Sequence, residues 1–272
     1  MNEQQQMITI LKETFDAVSG GYDNRALRFF HASAGHMADL LGLMGDEQVL
    51  DVACGTGNAA LTIAPKLPKG RVTAVDLSPG MLAQARRKAV SSDIRNIEFL
   101  ERDMQILDFP EGSFDIAVCA FGIFFVLDME TQLAHISTMV RPGGRVMISS
   151  FQESYFQPLR DRLFARIAAY GVQDQPQAWK RTAHEAGCRQ LFETARLAEI
   201  RVEKRNVGYY LDSVNEWWEI VWNAGFRRLV SRLSPEEQER FKREHLEEVE
   251  ALRTDKGIWL DAGVLYTVGT KR

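Results

Sequence analysis

From Glu47 to Phe151 short apolar runs alternate with amphipathic stretches, the pattern of successive βα units around a parallel sheet. It predicts strands at Gln48–Val52, Arg71–Asp76, Ile97–Leu100, Phe114–Cys119 and Arg145–Phe151, with helices between them. The second helix is the most sharply marked: Ser78 stands at its N-cap, Pro79 at its first position, and Met81, Leu82, Ala85 and Ala89 recur on one face. Arg141-Pro142-Gly143-Gly144 predicts a sharp turn before the fifth strand. Ahead of this core, Met7 to Leu43 reads as helix broken at Ser19-Gly20-Gly21. Behind it, Phe156–Gly171, Ser213–Leu233 and Pro235–Thr254 read as helical, Leu197–Tyr210 as an extended strand and Gly263–Gly269 as a last strand. Two helices between what read as the final strands predict a cap over the sheet. The expected division is a helical segment at 1–46, an α/β core at 47–151, and a cap plus closing strands at 152–272.

Composition narrows the function classes. With 272 residues and 45% hydrophobic content, the chain has enough apolar surface to fold without covalent staples. Its three cysteines, Cys54, Cys119 and Cys188, are an odd number without metal-ligand spacing, which fits a reducing cytoplasm and no metal. The polar start is unlike a signal peptide, and the longest apolar run, Ile116 to Leu127, falls short of the ~20 residues a membrane helix needs. A net charge of −4 without a basic stretch argues against nucleic acid as a partner.

The chemistry-bearing segment is Val49-Leu50-Asp51-Val52-Ala53-Cys54-Gly55-Thr56-Gly57-Asn58, a strand running through a small-residue loop into a helix. Small residues let backbone N–H groups approach a ligand at a helix N-terminus. Asp76 follows Gly57 by nineteen residues, at the end of the second strand, where a carboxylate accepts from both hydroxyls of a ribose. Ala60 holds the third glycine's place, so the glycines alone leave NAD open. Asp51 discriminates better, because it would repel a pyrophosphate but attract an α-ammonium group such as the methionine end of S-adenosylmethionine.

At this point the chain resembles the class I S-adenosylmethionine-dependent methyltransferases. The resemblance is carried in order by Val49–Gly57, Ala74–Leu82, Glu101-Arg102-Asp103-Met104, Phe109–Asp115 and Arg141–Gly144. Within the class it is most similar to the ubiquinone/menaquinone-biosynthesis methyltransferase group, through Phe15-Asp16-Ala17-Val18-Ser19-Gly20-Gly21-Tyr22-Asp23. The implied fold is a Rossmann-like α/β sheet with an N-terminal helical segment and an inserted helical cap. The resemblance also implies residue roles: Ala53, Cys54, Gly55 and Gly57 at the methionine moiety and Asp76 at the ribose. Leu77 and Met81 would flank the adenine, Asp103 and Met104 would bond its edge, Ala120 and Phe121 would line the methyl side, and Tyr22 would close over the cofactor. The sequence departs from the quinone enzymes at Phe124 and Phe125, where that group carries Arg and Asn. That shifts the expected acceptor from a quinone ring towards a small, mainly apolar O-, C- or N-nucleophile.

Transfer from a sulfonium requires alignment and exclusion of water more than a protein nucleophile. A base is needed only for an acceptor protonated at working pH, and the sequence assigns no catalytic residue. His31, His36 and His135 are candidates that read more simply as surface or packing residues, and Asp128 reads as a helix cap. Trp217, Trp218 and Trp222 read either as core packing or, with Phe124 and Phe125, as the wall of an acceptor pocket. A quinone or isoprenoid phenol as acceptor, a catalytically silent cofactor-binding protein and an NAD enzyme remain as alternatives. A homodimer is compatible with all of them.

Overall fold

The computed structural model describes residues 3–173 and 178–272. Its centre is a seven-stranded sheet. The strands are β1 (Gln48–Val52), β2 (Arg71–Asp76), β3 (Ile97–Glu101), β4 (Phe114–Ala120), β5 (Val140–Phe151), β6 (Ala198–Asn206) and β9 (Gly263–Thr270), in the order β3-β2-β1-β4-β5-β9-β6. The first five run parallel, and β9 inserts antiparallel to both β5 and β6. Val49, Leu50 and Val52 have no exposed surface, because a parallel strand covered on both faces reads as a continuous apolar run. At the open edge, β6 carries Glu199, Arg201, Glu203, Lys204 and Arg205, charges that discourage pairing with another sheet.

Helices cover both faces. On one side α2 (Phe29–Leu40), α3 (Asn58–Ile63) and α4 (Pro79–Ser91) bury Met37, Ala38, Ile63 and Leu82 against the sheet. On the other, α5 (Met129–Thr138) and α7 (Glu185–Thr194) bury Leu133, Ile136 and Phe192. Ser78 caps α4 by accepting from the Met81 N–H, with Pro79 in the first turn, and Asp128 caps α5 through the Thr131 N–H. Helix α1 (Glu3–Val18) precedes the break at Ser19-Gly20-Gly21 and lies outside this sandwich.

The cap consists of α6 (Leu159–Ala169), α8 (Val214–Asn223), α9 (Arg227–Val230) and α10 (Pro235–Glu250), with a hairpin-like pair of β7 (Tyr209–Leu211) and β8 (Ile258–Leu260). All of it except α6 is inserted between β6 and β9. It shares a core built around Phe156, Trp217, Ile220 and Phe241, which extends to Phe29 of α2.

Three local differences from the sequence pattern have physical causes. The predicted strand over Leu197–Tyr210 divides into β6 and β7 at Gly208, where a Cβ would lie 2.3 Å from the Leu260 carbonyl oxygen. The turn at Arg141–Gly144 is a bulge within β5: Phe114 pairs with Val140 and Ile116 with Arg145, so four residues of β5 oppose Asp115 alone. Helix α7 and strand β8 lie outside the predicted set; β8 is three residues long, too short to show alternation.

Candidate active site

The carboxyl ends of β1, β2, β3 and β4 open on one crevice, at the place where strand order reverses between β1 and β4. Its shape begins with the loop after β1. Ala53 and Gly55 take positive φ (55° each), and Gly57 (φ 81°) occupies the N-cap of α3. A Cβ at Gly57 would crowd Ala85 at 3.1 Å, whereas one at Gly55 would meet nothing within 4 Å, since that side of the loop faces the open crevice. Glycine is therefore demanded at Gly57 by packing as well as by dihedral angle.

Asp76 ends β2 with its carboxylate turned back onto the loop: one oxygen accepts from the Gly55 N–H at 2.7 Å and the other from the Ser78 N–H at 2.8 Å. Burial raises its pKa above the usual carboxylate value, and the N–H groups of Ser78, Gly55 and Leu77 oppose that shift. Asp51 lies fully buried beneath the loop. One oxygen accepts from the Ala60 N–H at 2.9 Å and the other has no hydrogen-bond partner. Burial pushes its pKa up to about 8, opposed by the Ala60 donor and reinforced by the negative field of Asp76. Burial also pushes up the thiol pKa values of Cys54 and Cys119, the latter to about 12, so both remain thiols at neutral pH.

The far wall is less polar. Asp103 caps a short 3-10 turn by accepting from the Gln105 N–H at 2.9 Å, and the Met104 carbonyl accepts from Gln132 at 2.7 Å. Leu77, Met81, Ala120, Phe121, Phe125 and Val126 supply apolar surface. Tyr22 stacks on Phe30 with ring centroids 4.9 Å apart, and burial with the neighbouring carboxylates raises its phenol pKa far above normal.

Helix α1 forms the roof. Ile8, Leu11, Lys12 and Phe15 line the crevice from above, and Phe15 packs edge-on against Phe125 at 5.2 Å. Asp16 anchors this helix by accepting from the Gly80 N–H (2.9 Å) and the Ser78 hydroxyl at the start of α4, while Lys12 pairs with Glu101 at 2.7 Å. Asp23 then ties the following segment down, accepting from Thr56 and pairing with Lys88, both at 2.8 Å. The enclosed space is about 100 Å³.

Of the predicted site residues, Tyr22, Ala53, Gly55, Asp76, Leu77, Met81, Asp103, Met104, Ala120, Phe121 and Phe125 line this crevice, and Cys54 lines a smaller adjoining cavity with Ala53, Gly55, Ala120 and Phe121. Asp51 and Gly57 support the loop from behind. Phe124 packs against Phe125 and into the core on both sides of β4. Trp217, Trp218 and Trp222 are not brought to the crevice. Trp217 is wholly buried in the cap and donates its indole N–H to His245 at 2.8 Å, and Trp218 stacks on Trp222 and contacts Phe241. Their spacing follows from core packing of α8. No histidine lines either cavity: His31 is exposed, His36 pairs with Glu203 at 2.7 Å, and His135 is on α5. The α1 residues and Asp16 were missed as site residues because their amphipathic spacing alone does not say which surface the helix covers.

Residues 49–144 match the methyltransferase domain family. The chain is 29% identical over 171 residues to aklanonic acid methyltransferase DauC of Streptomyces sp. (strain C5), covering 62% of this chain and 78% of that one. It is 39% identical over 105 residues to the demethylmenaquinone methyltransferase of Thermus thermophilus, covering 39% and 47%. The match thus spans about half the length of that quinone-named relative. Among solved structures, the YcgJ protein of Bacillus subtilis superposes with a TM-score of 0.59 at 20% identity over 89% of this chain and 99% of that one. Residues 49–144 thus match a methyltransferase domain, set in a sheet whose fold is shared with the YcgJ protein.

Proposed function

We propose that the chain moves a methyl group from S-adenosylmethionine to a small, mainly apolar O-, C- or N-nucleophile. The observation that carries this reading is the convergence on one crevice of a carboxylate at Asp76, an open small-residue loop at Gly55 and an aromatic wall at Phe121 and Phe125. The donor set suits the cofactor. A carboxylate has room for about four hydrogen bonds, and Asp76 uses two on backbone donors, which leaves acceptor capacity for the two hydroxyls of a ribose. Gly55 leaves its side of the loop open for the amino-acid end, and an ammonium group bound there would draw the Asp51 pKa down and favour its carboxylate beneath the loop. Leu77 and Met81 offer flat apolar surface to the adenine, Asp103 accepts from its amino group, and Met104 lies beside it.

When bound, the cofactor supplies an electrophilic methyl carbon on a sulfonium. The chain's own residues then have to align the acceptor and keep water away, effects worth up to roughly 7–11 kcal/mol in the best-oriented cases. Ala120, Phe121, Phe125 and Val126 do this by presenting a dry wall, and Tyr22 closes the inner side. Sites for small molecules measure roughly 300–1,000 Å³, several times the space enclosed here, so entry requires α1 and Phe15 to swing away from the roof. The three cysteines are free and buried, which suits the reducing cytoplasm. The names of the two relatives support an organic small molecule as acceptor.

Methyl-labelled S-adenosylmethionine incubated with the protein and an extract of small metabolites tests this directly. Label should pass into a solvent-extractable product. Label found exclusively in protein or nucleic acid, or none transferred, would contradict the proposal.

A further inference from the structure

A second cavity stands apart from the crevice under α1. It lies at the start of α6, encloses about 600 Å³, and shares no lining residue with the crevice. Arg160, in the first turn of α6, lines it. The Arg160 side chain is 7% exposed, yet among the described residues its Nη1 has no hydrogen-bond partner and its Nη2 reaches just the flanking Asp161 at a long 3.4 Å. Leaving a buried guanidinium nitrogen unpaired is costly, so an anionic acceptor that displaces the packing over Nη1 would be stabilised there. A second feature points the same way. The eleven-residue α6 begins beside this cavity behind Pro158, with no side-chain cap, and Arg160 and Asp161 of its first turn line the space.

The remaining charges define the anion. Glu153, Asp161 and Glu185 also line the cavity; Glu153 pairs with His184 at 3.3 Å and Glu185 with Lys204 at 3.4 Å. Arg160, Lys180 and Lys204 on this wall are balanced by the three carboxylates, which favours a single negative charge over a phosphate dianion. The guanidinium itself lies over the Tyr155 ring at 4.4 Å and near the Trp179 ring at 5.4 Å, and Trp179 and Phe164 face the cavity. An aromatic wall beside a planar cation suits a flat ring that bears the charge.

We propose that this cavity is a second binding site, separate from the methyl-donor crevice, for a monoanionic carboxylate carried on a flat ring, with Arg160 as its anchor. The test uses the full chain and two isosteric probes, 2-naphthoate and the neutral 2-naphthamide, measured by calorimetry. The wild-type protein should bind the acid about tenfold or more tightly than the amide, the scale of a charge-assisted hydrogen bond. Arg160→Gln should lose that preference while keeping its far-ultraviolet circular dichroism, and Arg160→Lys should retain part of it. Equal affinity for acid and amide, no binding of the acid at millimolar concentration, or an acid preference that survives in folded Arg160→Gln would each overturn the proposal. If Arg160→Gln does not fold, the comparison of acid with amide on the wild-type protein still decides. None of these readings depends on methyl transfer.

Discussion

At the scale of single residues, the site is organised by two carboxylates in contrasting settings. Asp76 is buried but has two backbone donors, whereas Asp51 has one and an idle oxygen. For Asp51 the folded-state pKa, near 8, exceeds the ordinary value of 3.8, so between those limits the folded protein holds a proton that the unfolded chain has lost. Its contribution is therefore fully present below about pH 4 and is lost as pH rises towards 8. Asp51→Asn, which cannot ionise, should gain stability relative to wild type on going from pH 5 to pH 8, by on the order of a few kcal/mol. Denaturant unfolding at the two pH values checks this, and an identical difference at both would contradict it. The crevice residues contributed by strand ends were legible in the sequence, because a small-residue loop followed by an acid at the next strand's end has few other uses. Trp217 was ambiguous for a physical reason: an aromatic stripe on a helix has the same spacing whether it faces core or ligand.

At the scale of elements, the core strands β1 and β2 coincide with their predicted limits, since both are buried apolar runs bounded by turn residues. The cap was less legible because its elements are stabilised by one another. The contact between α8 and α10 shows how. Trp217 can donate but not accept, so His245 must present a bare Nε2 and carry its proton on Nδ1, and burial drives its pKa down to about 4. Trp217→Ala should cost roughly 3–5 kcal/mol as a cavity in the cap core and leave affinity for S-adenosylhomocysteine unchanged in the folded protein. Parallel loss of affinity would place Trp217 at the crevice instead. Because the His245 pKa is depressed, its stabilising effect is complete above about pH 6.5 and fades as pH falls towards 4. The roof is held near its carboxyl end by its own Asp16, which accepts from Ser78 and Gly80 at the start of α4. Asp16→Ala should loosen α1, and limited trypsin digestion should then cleave after Lys12 faster than in wild type; an unchanged rate would show that the anchor lies elsewhere.

For the whole molecule, strand order sets where chemistry can occur. The reversal between β1 and β4 leaves a gap at the carboxyl ends, small residues open it, and α1 covers it. The cap adds aromatic bulk on the β5 side, where Phe121, Phe151 and Tyr155 follow one another with ring centroids 4.5 and 4.6 Å apart. The parallel run of the first five strands was readable from alternating apolar and amphipathic segments, whereas their order was not, because alternation does not say which strands are neighbours. The antiparallel seat of β9 was not, because it depends on pairing across the inserted cap. The central claim is that the Gly55 loop and Asp76 together hold an adenosyl amino acid, and calorimetric titration with S-adenosylhomocysteine measures it most directly. Wild type should give a saturable one-to-one heat while NAD gives none, and Asp76→Ala should weaken binding by about 1.5–3 kcal/mol, the worth of hydrogen bonds to a charged group. A dissociation constant unmoved by Asp76→Ala, or a saturable heat from NAD alone, would contradict it.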